Sequence, residues 1–195
     1  MTIATQQAGA GTPRTPERTP EEVLQFWFSE LKPAQWWKKD GELDRKIAER
    51  FGSLHAAASR VELFHWRATN EGRLAEILVL DQFSRNIYRN RPQAFACDPL
   101  ALALAQEAVA RGVDDALTLS QRNFLYMPYM HSESALIHKE AVRVFSKAGE
   151  QQYDFELRHK AVIDRFGRYP HRNAILGRRS TPQEVEFLKE PNSGF

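Results

Sequence analysis

From Thr19 onward, apolar side chains recur every three or four residues, the spacing that gathers them on one face of an α-helix. This pattern predicts helices near 20–31, 40–51, 54–67, 71–89, 99–111, 120–127, 132–147, 150–166 and 182–189, with a short turn near 34–38. Gly52, Pro92, Gly112, Pro128, Gly149, Gly167 with Pro170, and Gly177 fall between these segments as breakers; Gly72 stands at a helix start. Two starts carry strong caps: Thr19-Pro20 with Glu22, and Thr181-Pro182 with Glu184, each a capping box with proline at the first helical position. No stretch alternates apolar and polar residues between hairpin turns, so strands are not expected. The expected class is all-α, and the short connections imply antiparallel helix hairpins.

Residues 1–18 hold Thr, Pro, Gly, Gln and Ala and almost nothing large and apolar. Such a segment cannot bury enough surface to offset the entropy of ordering, so it reads as a disordered arm before a single all-α domain over 19–195. "LALALAQEAVARG" (100–112) looks like one helix of a tetratricopeptide-type unit, and a tetratricopeptide-like helical stack is the expected architecture. The chain lacks a clear self-similarity at the roughly 34-residue period of that repeat.

Polar groups interrupt the apolar frame in three places. In "LAEILVLDQFSRNIYRN", Leu74, Ile77, Leu78, Asp81, Arg85 and Tyr88 share one sector of a helical wheel, and Val79, Leu80, Phe83 and Ile87 form a second stripe opposite. Asp81 and Arg85 thus continue a core-facing stripe at the i,i+4 spacing of an ion pair. They form either a buried structural clip or the wall of a cavity, because a charge taken out of water costs several kcal/mol unless it is paired. Gln82 and Asn86 lie together on another sector, expected to face water. In "FLYMPYMHSESALIHKEAVRVF", Pro128 ends one helix, Ser132 caps the next, and His131 lies at the helix entry near Glu133. His131 and His138 are two turns apart, about 10.5 Å along a helix, too far to share one metal ion. Neither H-E-x-x-H nor an i,i+4 His pair occurs, so no metal site is expected. His138 reads as a core histidine.

The third place changes the charge picture. Net charge is only +2, which argues against nucleic-acid binding. Yet Arg158 to Arg179 carries seven Lys/Arg against the single acid Asp164, so this stretch is +6 and the remainder −4. Phe155, His159, Val162 and Phe166 form an expected buried stripe, bordered by Arg158 and Arg165. Gly167 then supplies a left-handed helix end. Arg168, His171, Arg172 and Asn173 follow in a loop bracketed by Gly167 and Gly177. Guanidinium groups suit carboxylate and phosphate. The loop is therefore either an arginine network tied to Asp81, Glu133 or Asp164, or an anion site.

The leading functional reading is a helical binding module. Its cleft is lined by Asp81, Arg85, Asn86, Arg165, Arg168, Arg172 and Asn173. Its ligand is a small carboxylate or phosphate, or an acidic peptide; Trp36, Trp37, Tyr88 and Tyr169 are candidate walls. One alternative is a hydrolase of a small anionic substrate, with His131 or His171 as acid or base, oriented by Glu133 or Asp81. Another is an oligomeric structural protein. No P-loop, G-x-G-x-x-G or G-x-S-x-G occurs, and no cofactor is expected. Cys97 stands alone, which fits a reducing compartment, and no apolar run approaches the roughly 20 residues of a membrane span. With no apolar signal segment at the start, the protein is expected in the cytoplasm, without membrane or nucleic-acid partners.

The strings "VLQFWF" (23–28), "WWKKDGELDRKIAERF" (36–51), "LDQFSRNIYR" (80–89), "FLYMPYMHSE" (124–133) and "IDRFGRYPHRNAILGRRSTPQEVEFL" (163–188) are long and idiosyncratic. Together they resemble a bacterial family of uncharacterised proteins, the domain of unknown function family 924. The chain follows that pattern at Asp81, Arg85, Asn86, His131, Glu133, Arg165, Arg168, His171, Arg172 and Asn173. The resemblance implies an all-α, tetratricopeptide-like fold and carries no established activity.

Overall fold

The computed structural model of the chain describes residues 18–191, 193 and 194, and the reading of 1–17 as an arm lies outside them. Arg18 is already tied to the domain, with its guanidinium 3.6 Å from Glu22. Helix α1 (Pro20–Gln25) starts at Thr19, whose hydroxyl accepts from the Glu22 amide while the Glu22 carboxylate accepts from the Thr19 amide. It continues as a π-turn over Phe26–Glu30. Then come α2 (Pro33–Trp36) and α3 (Gly41–Ser59), followed by α4 (Asn70–Leu78), which runs through a second π-turn (Val79–Phe83) into α5 (Ser84–Ile87). The remaining helices are α6 (Asp98–Ala110), α7 (Leu119–Met130), α8 (Ala135–Phe145), α9 (Glu150–Phe166) and α10 (Pro182–Phe187). No strand occurs among the described residues, and no described helix is long and apolar enough to cross a membrane.

Consecutive helices α6 to α9 pack each on the next, as short connections require. Helix α4 departs from such a one-dimensional order and touches α1, α6 and α7. The main core is aromatic: Phe83 stacks within 4.9 Å of Phe51, 5.7 Å of Trp27 and 6.1 Å of Phe26. A smaller cluster of Val162, Ile163, Tyr169 and Phe187 joins α9, the following loop and α10.

Several local expectations change. Pro128 lies inside α7, two residues before its end, where a missing N–H costs a single bond of the last turn. His131 therefore caps the C-terminus of α7 and does not enter α8, which starts after Ser134. Phe155 is exposed while His159 and Val162 are buried, so the apolar stripe of α9 is shorter than its periodicity suggests. Gly52 does not break α3, because a glycine on an open helix face costs propensity without blocking the hydrogen-bond ladder. A Cβ there would meet nothing within 4 Å, so Gly52→Ala is expected to stabilise the chain by about 0.5–1 kcal/mol in urea unfolding. Gly72→Ala should do the reverse despite the same helical gain: its Cβ would sit 2.0 Å from the Trp66 carbonyl oxygen, and backbone must move.

Candidate functional site

The site lies where the main core meets the smaller C-terminal cluster, and the second π-turn builds its floor. Insertion of a π-turn rotates the residues after it relative to a regular wheel, and such turns recur at functional positions. Here Val79 through Phe83 are all buried, Asp81 completely and Gln82 to 8% exposure, so Gln82 does not face water. Its amide Nε2 instead donates to Asp81 Oδ2 at 2.7 Å.

Asp81 collects two further donors. Arg85, one turn on, approaches Oδ1 at 3.1 Å, and His131 Nδ1 lies 2.7 Å from the same oxygen. Burial alone would raise the Asp81 pKa, but Arg85, His131 and Gln82 more than compensate and hold the carboxylate at about 2. An ionised carboxylate can only accept, so His131 must carry its proton on Nδ1 and leave Nε2 with a free lone pair. Burial and the nearby Arg85 lower the His131 pKa against the pull of Asp81. The imidazole is thus neutral near pH 7. Its side chain is 16% exposed, and Nε2 has no hydrogen-bond partner among the described residues.

Two guanidinium groups flank this pair through an acid that the periodicity did not single out. Asp98, the first residue of α6, takes both Arg85 terminal nitrogens at 2.9 and 3.1 Å and Arg172 Nη1 at 3.3 Å. Arg172 Nη2 donates to the His131 carbonyl at 3.0 Å. The Arg172 guanidinium lies between two rings, 4.6 Å from the Phe95 centroid and 4.7 Å from that of Tyr169. Burial and the neighbouring Arg85 depress its pKa below the ordinary arginine value. Asp81, Arg85, His131 and Arg172 thus converge, with charges of two arginines and two aspartates in balance.

Of the other expected site residues, His171 adjoins this centre beside Arg172, and the rest are engaged elsewhere. Asn86 donates to Asp44, which also holds Arg89. Glu133 does not orient a histidine: it accepts the Tyr169 amide at 2.8 Å and both Arg178 terminal nitrogens at 2.6 and 2.9 Å, because it lies beyond the helix end that presents His131. Asn173 joins the same network through Arg178 and Ser180. Arg168 is clamped by Glu184, whose pKa that pairing lowers to about 2. Arg165 is exposed and lies over the Phe166 and Phe187 rings. His171 packs on Tyr169 at 5.5 Å, and burial followed by Arg172 pushes its pKa to about 4. Trp36 donates to the Trp27 carbonyl, and Trp37 stacks on Phe124.

A second buried pair supports the loop. His138 Nε2 reaches the Ser132 carbonyl at 2.9 Å, so it carries a proton; Nδ1 lies 2.7 Å from Glu156, whose pKa burial raises. The Tyr169 hydroxyl closes this arrangement by donating to the Met130 carbonyl at 2.5 Å. Tyr169, Glu133 and Arg178 therefore fix the loop that delivers Arg172. Among the described residues, no group of three or more His, Cys, Asp or Glu is placed to hold a metal ion.

No curated protein matches the chain at a significant level. A solved structure of a protein of unknown function from Agrobacterium tumefaciens is similar to it, with 37% sequence identity and a TM-score of 0.84, covering 87% of this chain and 96% of that one. The profile of a bacterial protein family of unknown function, DUF924, matches residues 23–192. With nearly all of its described length matched, this chain belongs to the DUF924 family of bacterial proteins of unknown function.

Proposed function

We propose that the chain is an acid–base catalyst acting on a small anionic substrate, with His131 as the general base. The carrying observation is the Asp81–His131 pair at 2.7 Å, in which an ionised, buried carboxylate fixes the tautomer that leaves Nε2 basic and accessible. Nε2 takes a proton from water or from a substrate hydroxyl. Arg85 and Arg172 face the negative charge that develops, in surroundings where guanidinium groups act more strongly than in water. Hydrolysis of a small ester or phosphoester fits this division of labour. A pure anion-binding module draws less support, because binding alone gives no use for the tautomer that Asp81 enforces on His131.

Long-range 1H–15N correlation at pH 7 is expected to find His131 protonated on Nδ1 and bare on Nε2. Turnover of p-nitrophenyl phosphate or p-nitrophenyl acetate should fall to background in His131→Gln, with unfolding midpoint retained. The acid limb of its pH profile should lie below the ordinary imidazole value of 6.5, following the lowered His131 pKa. The opposite tautomer, or equal turnover in the variant, removes the proposal. Stabilisation by inorganic phosphate without any turnover would favour binding alone.

A further inference from the structure

Helix α7 ends at Met130 without a glycine to close it, and His131 and Ser132 lead directly toward α8. Carbonyls at such an end have no partner within the helix and must find one elsewhere. Three in succession here are held by side chains. The Tyr169 hydroxyl donates to the Met130 carbonyl at 2.5 Å, Arg172 Nη2 to the His131 carbonyl at 3.0 Å, and His138 Nε2 to the Ser132 carbonyl at 2.9 Å. The backbone on both sides of His131 is therefore gripped, from α8 and from the loop that follows α9.

The grip of His138 depends on a proton held elsewhere. The Ser132 carbonyl can only accept, so Nε2 must carry a hydrogen; the Tyr169 oxygen, 3.2 Å from Nε2, has given its own to Met130. Nδ1 lies 2.7 Å from Glu156 Oε1, and one proton must occupy that bond too. Both side chains are fully buried, and Glu156 Oε2 has no hydrogen-bond partner among the described residues. A carboxylate with one oxygen bare of donors and of water is costly, whereas a carboxylic acid leaves only a carbonyl there. Burial accordingly raises the Glu156 pKa. Glu156 thus donates to Nδ1, and an imidazole that accepts at Nδ1 donates at Nε2.

We infer that His138 and Glu156 are positioning residues for His131: the proton between them holds His138 in the tautomer that binds the Ser132 carbonyl, and so aims the His131 imidazole at Asp81. The catalytic consequence rests on the reading of His131 as general base; the effect on the imidazole itself needs no substrate.

Glu156→Leu and Glu156→Gln test this together. Leucine removes the donor to Nδ1 and leaves His138 free to exchange tautomers, while glutamine replaces the acid O–H with an amide N–H on nearly the same frame. The double variant His138→Leu/Glu156→Leu replaces both partners with apolar groups, the change a buried bond tolerates best, and supplies the result should Glu156→Leu fail to fold. In 1H–15N correlation the parent should show His138 protonated on Nε2 and bare on Nδ1. His131 should show mixed tautomers in Glu156→Leu and in the double variant, and the parent pattern in Glu156→Gln. Where p-nitrophenyl phosphate or p-nitrophenyl acetate turnover depends on His131, kcat should fall up to about a hundredfold in Glu156→Leu with KM little changed, as for a reacting group displaced by about 1 Å, and recover in Glu156→Gln. An unaltered His131 spectrum in the folded leucine variants, or a spectrum as disturbed in Glu156→Gln as in Glu156→Leu, would overturn the inference. A disturbed spectrum in Glu156→Leu alongside full turnover in His131→Gln would uphold the positioning and remove only the general-base reading.

Discussion

Asp81→Ala is expected to lower the unfolding free energy by about 3–5 kcal/mol at pH 7, the usual loss when one partner of a buried ionic network is removed. The size follows from what the substitution leaves behind. Arg85 keeps Asp98, but His131 Nδ1 loses its acceptor and Gln82 Nε2 keeps only the weak Met127 sulfur at 3.1 Å. Asp81→Asn keeps the volume and one acceptor oxygen and should cost less, while presenting His131 with an amide in place of a charge. Any His131-dependent turnover should fall in both variants, because the tautomer is no longer enforced. Acid should imitate the substitution. The folded Asp81 pKa of about 2 lies below its ordinary value of 3.8, so the folded state binds this proton less readily than the unfolded chain. The resulting stability is complete above about pH 4 and is lost as pH falls toward 2. Urea unfolding of the parent and of Asp81→Asn between pH 2.5 and 7 should show that the parent's advantage shrinks over this window. A difference that stays constant with pH would mean that Asp81 is not the ionised centre of the network.

The sequence discloses the centre of this site because charge stands out against periodicity. Asp81 and Arg85 occupy positions where a core helix calls for leucine, and no long-range information is needed to see that they must be paired. Arg172 was legible for a related reason: a loop dense in guanidinium groups has to dock against acids or a ligand. The identity of the partners was not legible. Asp98 sits behind Cys97 and before Pro99 at a helix start, where an acid is ordinary, and only tertiary packing shows that it bridges two arginines. Glu133 and Glu184 belong to the same class, since each pairs with a cation 45 or 16 residues away. The π-turns were invisible for a different reason. A wheel drawn at constant angle cannot register an inserted residue, and so Gln82 was assigned to water. Helix boundaries failed at Gly52 and Pro128 because both residues are breakers only where neighbours fail to hold the backbone. The Thr19 and Thr181 caps, which depend on three adjacent residues each, emerged as written.

Phe83→Ala should destabilise the chain by about 3–5 kcal/mol, the range for a large aromatic deleted from a close-packed core. Phe83 is fully buried at the end of the same π-turn that carries Asp81, and its ring contacts Phe26, Phe51 and Trp27. These rings come from α3 and from the π-turn that follows α1, so collapse around the vacancy would require two other elements to move. The cavity should therefore persist and set the cost near the upper part of the range. Phe83→Leu, which retains most of the volume, should cost less than half as much. The coupling to the site gives the prediction a second readout. If the π-turn is held in place by Phe83 on one side and by the Asp81 network on the other, loss of the ring loosens the backbone that aims Asp81. His131 should then show mixed tautomers by 15N NMR in Phe83→Ala at a temperature where the variant remains folded. A stable Phe83→Ala chain with an unaltered His131 spectrum would separate the aromatic core from the site and assign the π-turn's geometry to the ionic network alone.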